Sequence, residues 1–182
     1  MARIPLKQVV TYCDRLLRTA EFQDYEGAVN GLQAGGLGFV TRIAAAVDAS
    51  LATVRLACAM KVDLLLVHHG LFWGASHPWT GKRHELLTLL IEHRLAVYSS
   101  HLPLDAHPTL GNNAVLAAAL GFRRTKPFFF EKGRHLGVRT ETRLSRDELR
   151  LRLETAVGGR VHLIPGGPEE CRRVGTCRLG RL

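Results

Sequence analysis

The segment VDLLLVHHGLFWG, residues 62–74, is a short apolar run that ends in two histidines and a glycine. Without polar residues at alternate positions, such a run is typical of a strand that is covered on both faces, as in a parallel sheet. His68 and His69 then lie at the carboxyl end of this strand, where open α/β sheets bind their ligands. The segment therefore predicts both the fold class and the position of a site.

A second segment, LAVYSSHLPLD at residues 95–105, repeats the pattern and leads from an apolar strand into His101 and Asp105. Imidazoles and carboxylates are the usual protein ligands of zinc, iron and manganese. Seven of the nine histidines fall between residues 68 and 107. We therefore predict a metal site formed by four ligands: His68, His69, His101 and Asp105.

The adjacent histidines constrain the geometry of this site. Side chains at neighbouring strand positions point to opposite faces, so His68 and His69 reach one ion only if a turn at Gly70 splays them. Otherwise they serve two ions. Asp48 ends another predicted strand, and it is a candidate acceptor for the second N–H of a ligating histidine.

The second pair of ligands carries a different constraint. Pro103 lies between His101 and Asp105, and proline is excluded from an ordinary helix interior. The segment is therefore expected to be a loop that wraps back and leaves Asp105 free to bridge two ions. A carboxylate between paired ions is a feature of two-metal hydrolysis.

Strands and helices alternate along the first part of the chain. Five glycines between residues 26 and 38 predict a loop, which can hold a phosphate although it matches neither a Walker nor a GxGxxG motif. The alternation predicts a parallel-type sheet with flanking helices, that is, an α/β fold. Apolar spacing predicts helices over 6–19, 49–61, 82–94 and 114–120, and strands over 41–47, 63–67 and 95–99.

The remaining residues predict an incomplete second α/β lobe. We expect strands over 135–140, 160–164 and 172–177, and a helix over 145–157 that begins with a capping box at Ser145. The predicted domains are therefore a metal-binding α/β lobe, residues 1–124, and a partial second lobe, residues 125–182.

The net charge of +9 is unevenly distributed. Residues 1–122 carry +1, whereas residues 123–182 carry +8. A basic region attracts nucleic acid, phosphate-bearing substrates or acidic partners, but this one lacks the interleaved aromatics of a single-strand binding platform. Nucleic acid is therefore the least favoured partner, and a solvated arginine-rich face is favoured instead.

The hydropathy pattern argues against a membrane protein. No apolar run approaches the roughly 20 residues that a membrane span requires. The N-terminus leads directly into an amphipathic helix and has no apolar core of a signal peptide. We therefore expect a soluble, cytoplasmic protein.

Three segments resemble the Nif-three-like dinuclear metal-centre family, whose members are often called GTP cyclohydrolase I type 2 homologues. These are NGLQ (30–33), VHHGLFW (67–73) and SHLPLD (100–105), the last followed by GNN (111–113). The resemblance covers nearly the whole chain and implies two similar α/β lobes, a two-metal centre and a hexameric ring. By position, the family's metal ligands correspond to His68, His69, His101 and Asp105.

The resemblance departs from the family pattern at the C-terminus. Family members continue into a helix whose histidine and glutamate complete the centre, and no residue of this sequence matches those two ligands. The chain thus resembles a C-terminally truncated member. An incomplete ligand shell and an incomplete second lobe are the expected consequences.

The functional hypothesis that follows is a metal-dependent hydrolase acting on a nucleotide or another phosphate-bearing small molecule. Two divalent ions, zinc, iron or manganese, would provide hydroxide near neutral pH. The nucleotide preference comes from the resemblance alone, since nothing in the residues selects guanine, and no catalytic side chain is identified. The alternative is a non-enzymatic, metal-binding hexameric adaptor or assembly protein, which the absent C-terminal ligands favour.

Overall fold

The computed structural model of the chain describes residues 3–73 and 77–177. Contacts divide the chain into two compact units, Met1–Leu104 and Asp105–Leu182, and the predicted domain boundary at residues 124 and 125 stays a prediction. Residues 178–182 lie outside the described residues. They belong to the C-terminal segment in which the sequence differs from the family pattern. Among the helices described, none has the length and apolar character needed to cross a membrane.

The first unit is built on a four-stranded sheet with the order β2-β6-β5-β4. Its strands β4, β5 and β6 are parallel, whereas β2 pairs antiparallel with β6 at the edge. This arrangement confirms the predicted α/β fold. The elements are β1 (Ile4–Pro5), α1 (Leu6–Leu17), β2 (Gly31–Ala34), β3 (Phe39–Val40), β4 (Ile43–Asp48), α2 (Leu51–Ala59), β5 (Leu64–His69), α3 (Lys82–Glu92), β6 (Ala96–Ser99) and the one-turn helix α4 (Leu102–Asp105).

The apolar runs of β5 and β6 are covered on both faces, as their sequences predict. Leu65 and Val97 belong to a core cluster with residues of α2 and α3. Leu64 and Tyr98 belong to a second cluster, which α1 closes through Leu6. Burying a side chain of this size contributes roughly 1.5–3 kcal/mol, so these two strands form a rigid base for the residues that follow them.

The glycine-rich segment departs from prediction. A loop was expected over residues 26–38, but Gly31–Ala34 form the edge strand β2. Gly31 pairs with Ser99 while holding a φ of +100°, a conformation that glycine adopts without steric cost. The glycines weaken the sequence signal for a strand, yet they permit one here.

The second unit contains a three-stranded antiparallel sheet with the order β7-β8-β9. Asn113 of α5 donates to the Leu136 carbonyl and accepts, at its own carbonyl, from the Thr176 hydroxyl, which fixes α5 against one face of this sheet. Ser145 caps α6 as predicted, because its hydroxyl accepts from the Glu148 N–H. The elements are α5 (Asn112–Ala119), β7 (Lys126–Glu131), β8 (Arg134–Ser145), α6 (Arg146–Val157) and β9 (Glu170–Thr176).

Two predictions for this unit need correction. Residues 160–164, predicted as a strand, form neither a helix nor a strand. Ile164 is 81% exposed, so the apolar residues that suggested a strand have no sheet to cover them. Strand β7 was not predicted, because the aromatic run that forms it follows a break in the alternating pattern.

Candidate metal centre

Three of the predicted ligands come together at the carboxyl ends of β5 and β6. His68 and His69 end β5, and His101 follows β6 by two residues. Ligand nitrogens of the three side chains all lie within 4.8 Å of one another. The ring centroid of His68 is 4.8 Å from that of His69 and 4.8 Å from that of His101.

The two adjacent histidines approach each other while both are still in β5. On one side β5 pairs with β4 as far as His69, but on the other it pairs with β6 only as far as Val67. The last two residues of β5 therefore extend beyond the partner strand β6. The expected splaying turn at Gly70 is wrong, since the rings converge before that residue.

Gln33 holds the backbone that follows the histidines. Its Oε1 accepts from the Leu71 N–H at 2.6 Å, and its Nε2 donates to the Val29 carbonyl at 2.6 Å. A Cβ at residue 70 would collide with the Gln33 amide, so glycine there lets the Gln33 side chain lie against the backbone. The register of β2 against β6 shifts between Leu32 and Ala34, and bulges of this kind re-aim a side chain.

The Nδ1 atoms of all three histidines face an oxygen acceptor. Because a carbonyl or carboxylate oxygen accepts, each Nδ1 donates its proton and leaves the Nε2 lone pair for another partner. Metal-binding histidines are oriented in this way by outer acceptors. The bonds join His68 to the Ser100 carbonyl at 3.0 Å, His69 to Asp48 at 2.5 Å and His101 to Asp24 at 2.8 Å.

The acceptors differ in burial. Asp48, the acceptor predicted from the sequence, is 59% exposed at its side chain, and its partner His69 is 28% exposed. Asp24 and His101 are 3% and 8% exposed. His69 is thus on the solvent side of the cluster, and His101 is held in its interior.

Asp24 was not identified from the sequence, although it receives four hydrogen bonds. They come from His101 Nδ1, the Asn30 amide and the backbone N–H groups of Tyr25 and Leu102. Burial raises the pKa of this carboxyl, but the bonds from His101, Asn30 and Tyr25 outweigh it and lower the pKa to about 2. Asp24 therefore stays ionised and holds the His101 ring as a charged acceptor.

Asn30 connects this acceptor to the backbone of the ligand segment. Its Oδ1 accepts from the His101 N–H at 2.7 Å, while its Nδ2 donates to Asp24 at 2.8 Å. Together with Gln33, it lets the NGLQ segment hold both histidine-bearing segments. For Asn30 and Gln33, the sequence signal was the NGLQ motif itself. Asp24 lies in an irregular stretch, and nothing in the surrounding sequence pattern distinguishes it from a surface aspartate.

Aromatic rings border the cluster. The Trp73 ring is 4.6 Å from the His101 ring and nearly perpendicular to it, at 86°. It also lies 5.4 Å from the His69 ring. Tyr25 approaches His101 at 5.9 Å. Trp73 is nevertheless 46% exposed, so the cluster has an aromatic border that is open to solvent.

Asp105, the fourth predicted ligand, ends α4 and is the first residue of the second unit. The expected wrapping loop is wrong, because Pro103 lies in the first turn of this short helix, where its missing N–H has no role. Asp105 is buried, and its carboxylate accepts from the Asn112 amide at 2.9 Å. Its part in the metal site stays a prediction.

The sequence matches a family model described as Duf34/NIF3 (NGG1p interacting factor 3) over residues 4–178. A GTP cyclohydrolase 1 type 2 homolog of Neisseria meningitidis serogroup B is 41% identical over 176 residues, which are 96% of this chain and 69% of that protein. A homolog of the same name from Deinococcus radiodurans is 38% identical, over 93% of this chain and 64% of that protein.

Solved structures are similar over the same range. TTHA1606 of Thermus thermophilus has a TM-score of 0.83 and 35% identity, covering 93% of this chain and 68% of that one. Protein ybgI, of unknown function, has a TM-score of 0.82 and 34% identity, covering 94% and 68%. Reduced HcgD of Methanocaldococcus jannaschii, at 24% identity, a TM-score of 0.74 and coverage of 85% and 61%, supports the fold alone.

Proposed function

Because this chain belongs to the DUF34/NIF3 family, we propose that it is a metal-binding protein that hydrolyses a nucleotide or another phosphate-bearing small molecule. The observation that carries this proposal is the clustering of His68, His69 and His101 with the same hydrogen-bond pattern. Their ligand nitrogens lie within 4.8 Å of one another, and each ring is anchored through Nδ1.

The residues present suit a borderline divalent cation. Three imidazoles whose Nδ1 protons are donated elsewhere are nitrogen ligands of the kind that zinc, iron and manganese sites use. The proposed cofactor is a pair of such ions, with Asp105 as the proposed fourth ligand on the strength of the family resemblance. The hexameric assembly that the resemblance implies stays a prediction as well.

Each residue of the cluster has a distinct part in this proposal. His68 and His101, both buried, would set the position of the cation, and Asp24 and Asn30 would keep the His101 ring from rotating. His69, the most exposed of the three, would face the side from which a substrate approaches. A cation held by these nitrogens would supply Lewis acidity and hydroxide near neutral pH.

The proposed substrate class rests on the relatives. Those from Neisseria and Deinococcus carry the name GTP cyclohydrolase 1 type 2 homolog, which favours a nucleotide. The chain spans about two thirds of the length of these relatives. The activity that we propose for it is therefore inferred from proteins that are longer than this chain.

Metal analysis tests the first half of the proposal. Protein purified without chelator, or loaded with zinc, iron or manganese and desalted, should retain a cation when measured by elemental mass spectrometry. His69→Ala should lose it, and because this side chain is partly exposed the variant should still fold. His93→Ala, at an exposed position after α3, is the matched control. A wild-type chain that retains no transition metal after loading would refute the proposal.

Turnover tests the second half. Metal-loaded protein should release product from members of a panel of nucleotides and phosphate esters, and the His69→Ala variant should not. Retention of metal without turnover on any member would instead support the alternative function, a metal-binding assembly protein.

A further inference from the structure

We propose that Trp73 is a stacking platform for a planar heteroaromatic ring of the substrate, placed at the mouth of the histidine cluster. This inference rests on the proposed function, and it names the part of the substrate that lies nearest the histidines. Nucleotides are the chemical class that combines such a ring with phosphate, and nucleoside monophosphates are the smallest of them.

The first observation is the orientation of the indole. Its plane is 86° from that of the His101 ring, with the centroids 4.6 Å apart. In a perpendicular pair, one ring presents its edge to the face of the other. Whichever ring presents the edge, at least one face of the indole is not occupied by His101.

The second observation is exposure. Trp73 is 46% exposed and the preceding Phe72 is 41% exposed, although they come only three and four residues after a strand in which most apolar residues are buried. Most indole surface is covered in folded proteins. Here the exposed indole is beside the imidazoles of His69 and His101, and a bound aromatic ring would cover this exposed surface.

The distance between the indole and the histidine rings limits where the reacting bond of the substrate can lie. The centroid of the Trp73 ring is 4.6 Å from that of His101 and 5.4 Å from that of His69, so a base stacked on the indole would lie beside these two side chains. This placement favours a substrate whose reacting bond is in the base or next to it. A substrate held by its base with a scissile bond at the far end of a triphosphate fits this arrangement poorly.

Fluorescence provides the experiment. The chain has two tryptophans, so Trp79→Phe leaves Trp73 as the single indole reporter, in a background that removes nothing from the histidine cluster. With metal-loaded protein, guanosine and adenosine 5′-monophosphate should quench this emission. Ribose 5-phosphate, which lacks the ring, should not.

Affinity measured by titration calorimetry with the same probes supplies the decisive comparison. Replacing a stacking aromatic commonly weakens base binding by about tenfold or more, so Trp73→Leu should weaken nucleoside monophosphate binding to that extent. Trp73→Phe should retain most of it. Both variants should hold the same amount of metal as the wild type.

The outcomes separate the two proposals. Equal nucleotide affinity in Trp73→Leu and wild type, or no quenching that depends on the base, would overturn the stacking platform and leave the metal centre intact. Loss of metal in Trp73→Leu would show that the indole supports the histidines and would also overturn the platform. A wild-type protein without metal would defeat the proposed function instead.

Discussion

The four-stranded sheet of the first unit and the three-stranded sheet of the second are buried to different extents. In the first unit all four residues of β6 are buried, and so are four of the six residues of β5. In the second unit none of the six residues of β7 is buried, and only four of the twelve residues of β8 are. The histidine cluster follows β5 and β6, the two strands of the first unit that are most deeply buried. A site that needs fixed side chains thus lies where the backbone has least freedom.

The largest expected effect tests this difference directly. Leu65 is 1% exposed in β5, so Leu65→Ala should lower the free energy of unfolding by about 2–5 kcal/mol through lost burial and a cavity. Phe130→Ala in β7, at 67% exposure, should change it by less than about 0.5 kcal/mol. Urea unfolding followed by circular dichroism measures both. Similar losses for the two variants would show that the sheets do not differ in this way.

The next effect concerns the acceptors behind the histidines. Asp24→Asn removes a buried charged acceptor of His101 and should weaken metal binding about 10–100-fold. Asp48→Asn removes an exposed acceptor, and exposed ion pairs contribute roughly 0–1 kcal/mol, or about fivefold at most. Competition with a chromogenic chelator gives both affinities. A larger loss of metal affinity for Asp48→Asn than for Asp24→Asn would show that Asp48, and not Asp24, is the more important acceptor.

A smaller effect appears at alkaline pH. Burial is the main cause that raises the pKa of Tyr98, whose hydroxyl donates to Asp14 at 2.8 Å. A pKa raised above its unfolded value gives stability that is complete below about pH 10 and is lost as the pH rises further. The three tyrosines all lie in the first unit, so this unit should show the alkaline loss.

Tyr98→Phe is the control for this prediction. It should cost about 1 kcal/mol at neutral pH for the lost hydrogen bond, and it should flatten the dependence of unfolding free energy on pH above about pH 10. An unchanged alkaline slope in the variant would assign the pH dependence to other groups.

The smallest effect is expected at the exposed end of the second unit. Ile164 is 81% exposed, so Ile164→Ser should alter the unfolding free energy by less than about 0.5 kcal/mol. Thermal unfolding of the two proteins side by side is sufficient. A clear destabilisation would mean that this residue is covered in solution.

Local sequence predicted the first unit well because its signals are strong. The runs ending at His68 and Ser99 are apolar without interruption, and a strand covered on both faces allows few other patterns. The structure brings three of the four residues predicted as ligands close together because they follow the ends of those strands, and their binding of metal stays a prediction. The prediction of Asp48 as an outer acceptor also succeeded, because it too comes at the end of a parallel strand.

The failures have physical causes as well. Asp24 acts through bonds to residues distant in sequence, such as His101, and no periodicity encodes such a contact. Strand β2 was hidden because glycine has a low preference for strands, although Gly31 adopts there a φ that other residues avoid. The strand predicted over residues 160–164 was wrong for the opposite reason. These residues have a high preference for strands, but they have no neighbouring strand to pair with.

The NGLQ segment has a consequence for how the chain tolerates change. Asn30 contacts the His101 segment and Gln33 contacts the Leu71 segment, so the spacing between them sets two attachments at once. Leu32, between them, is 41% exposed. Exchange of this leucine should therefore be accepted, whereas deletion or insertion of one residue would prevent the two contacts from forming at the same time. In this segment, the number of residues between Asn30 and Gln33 is constrained more strictly than the identity of the residues themselves.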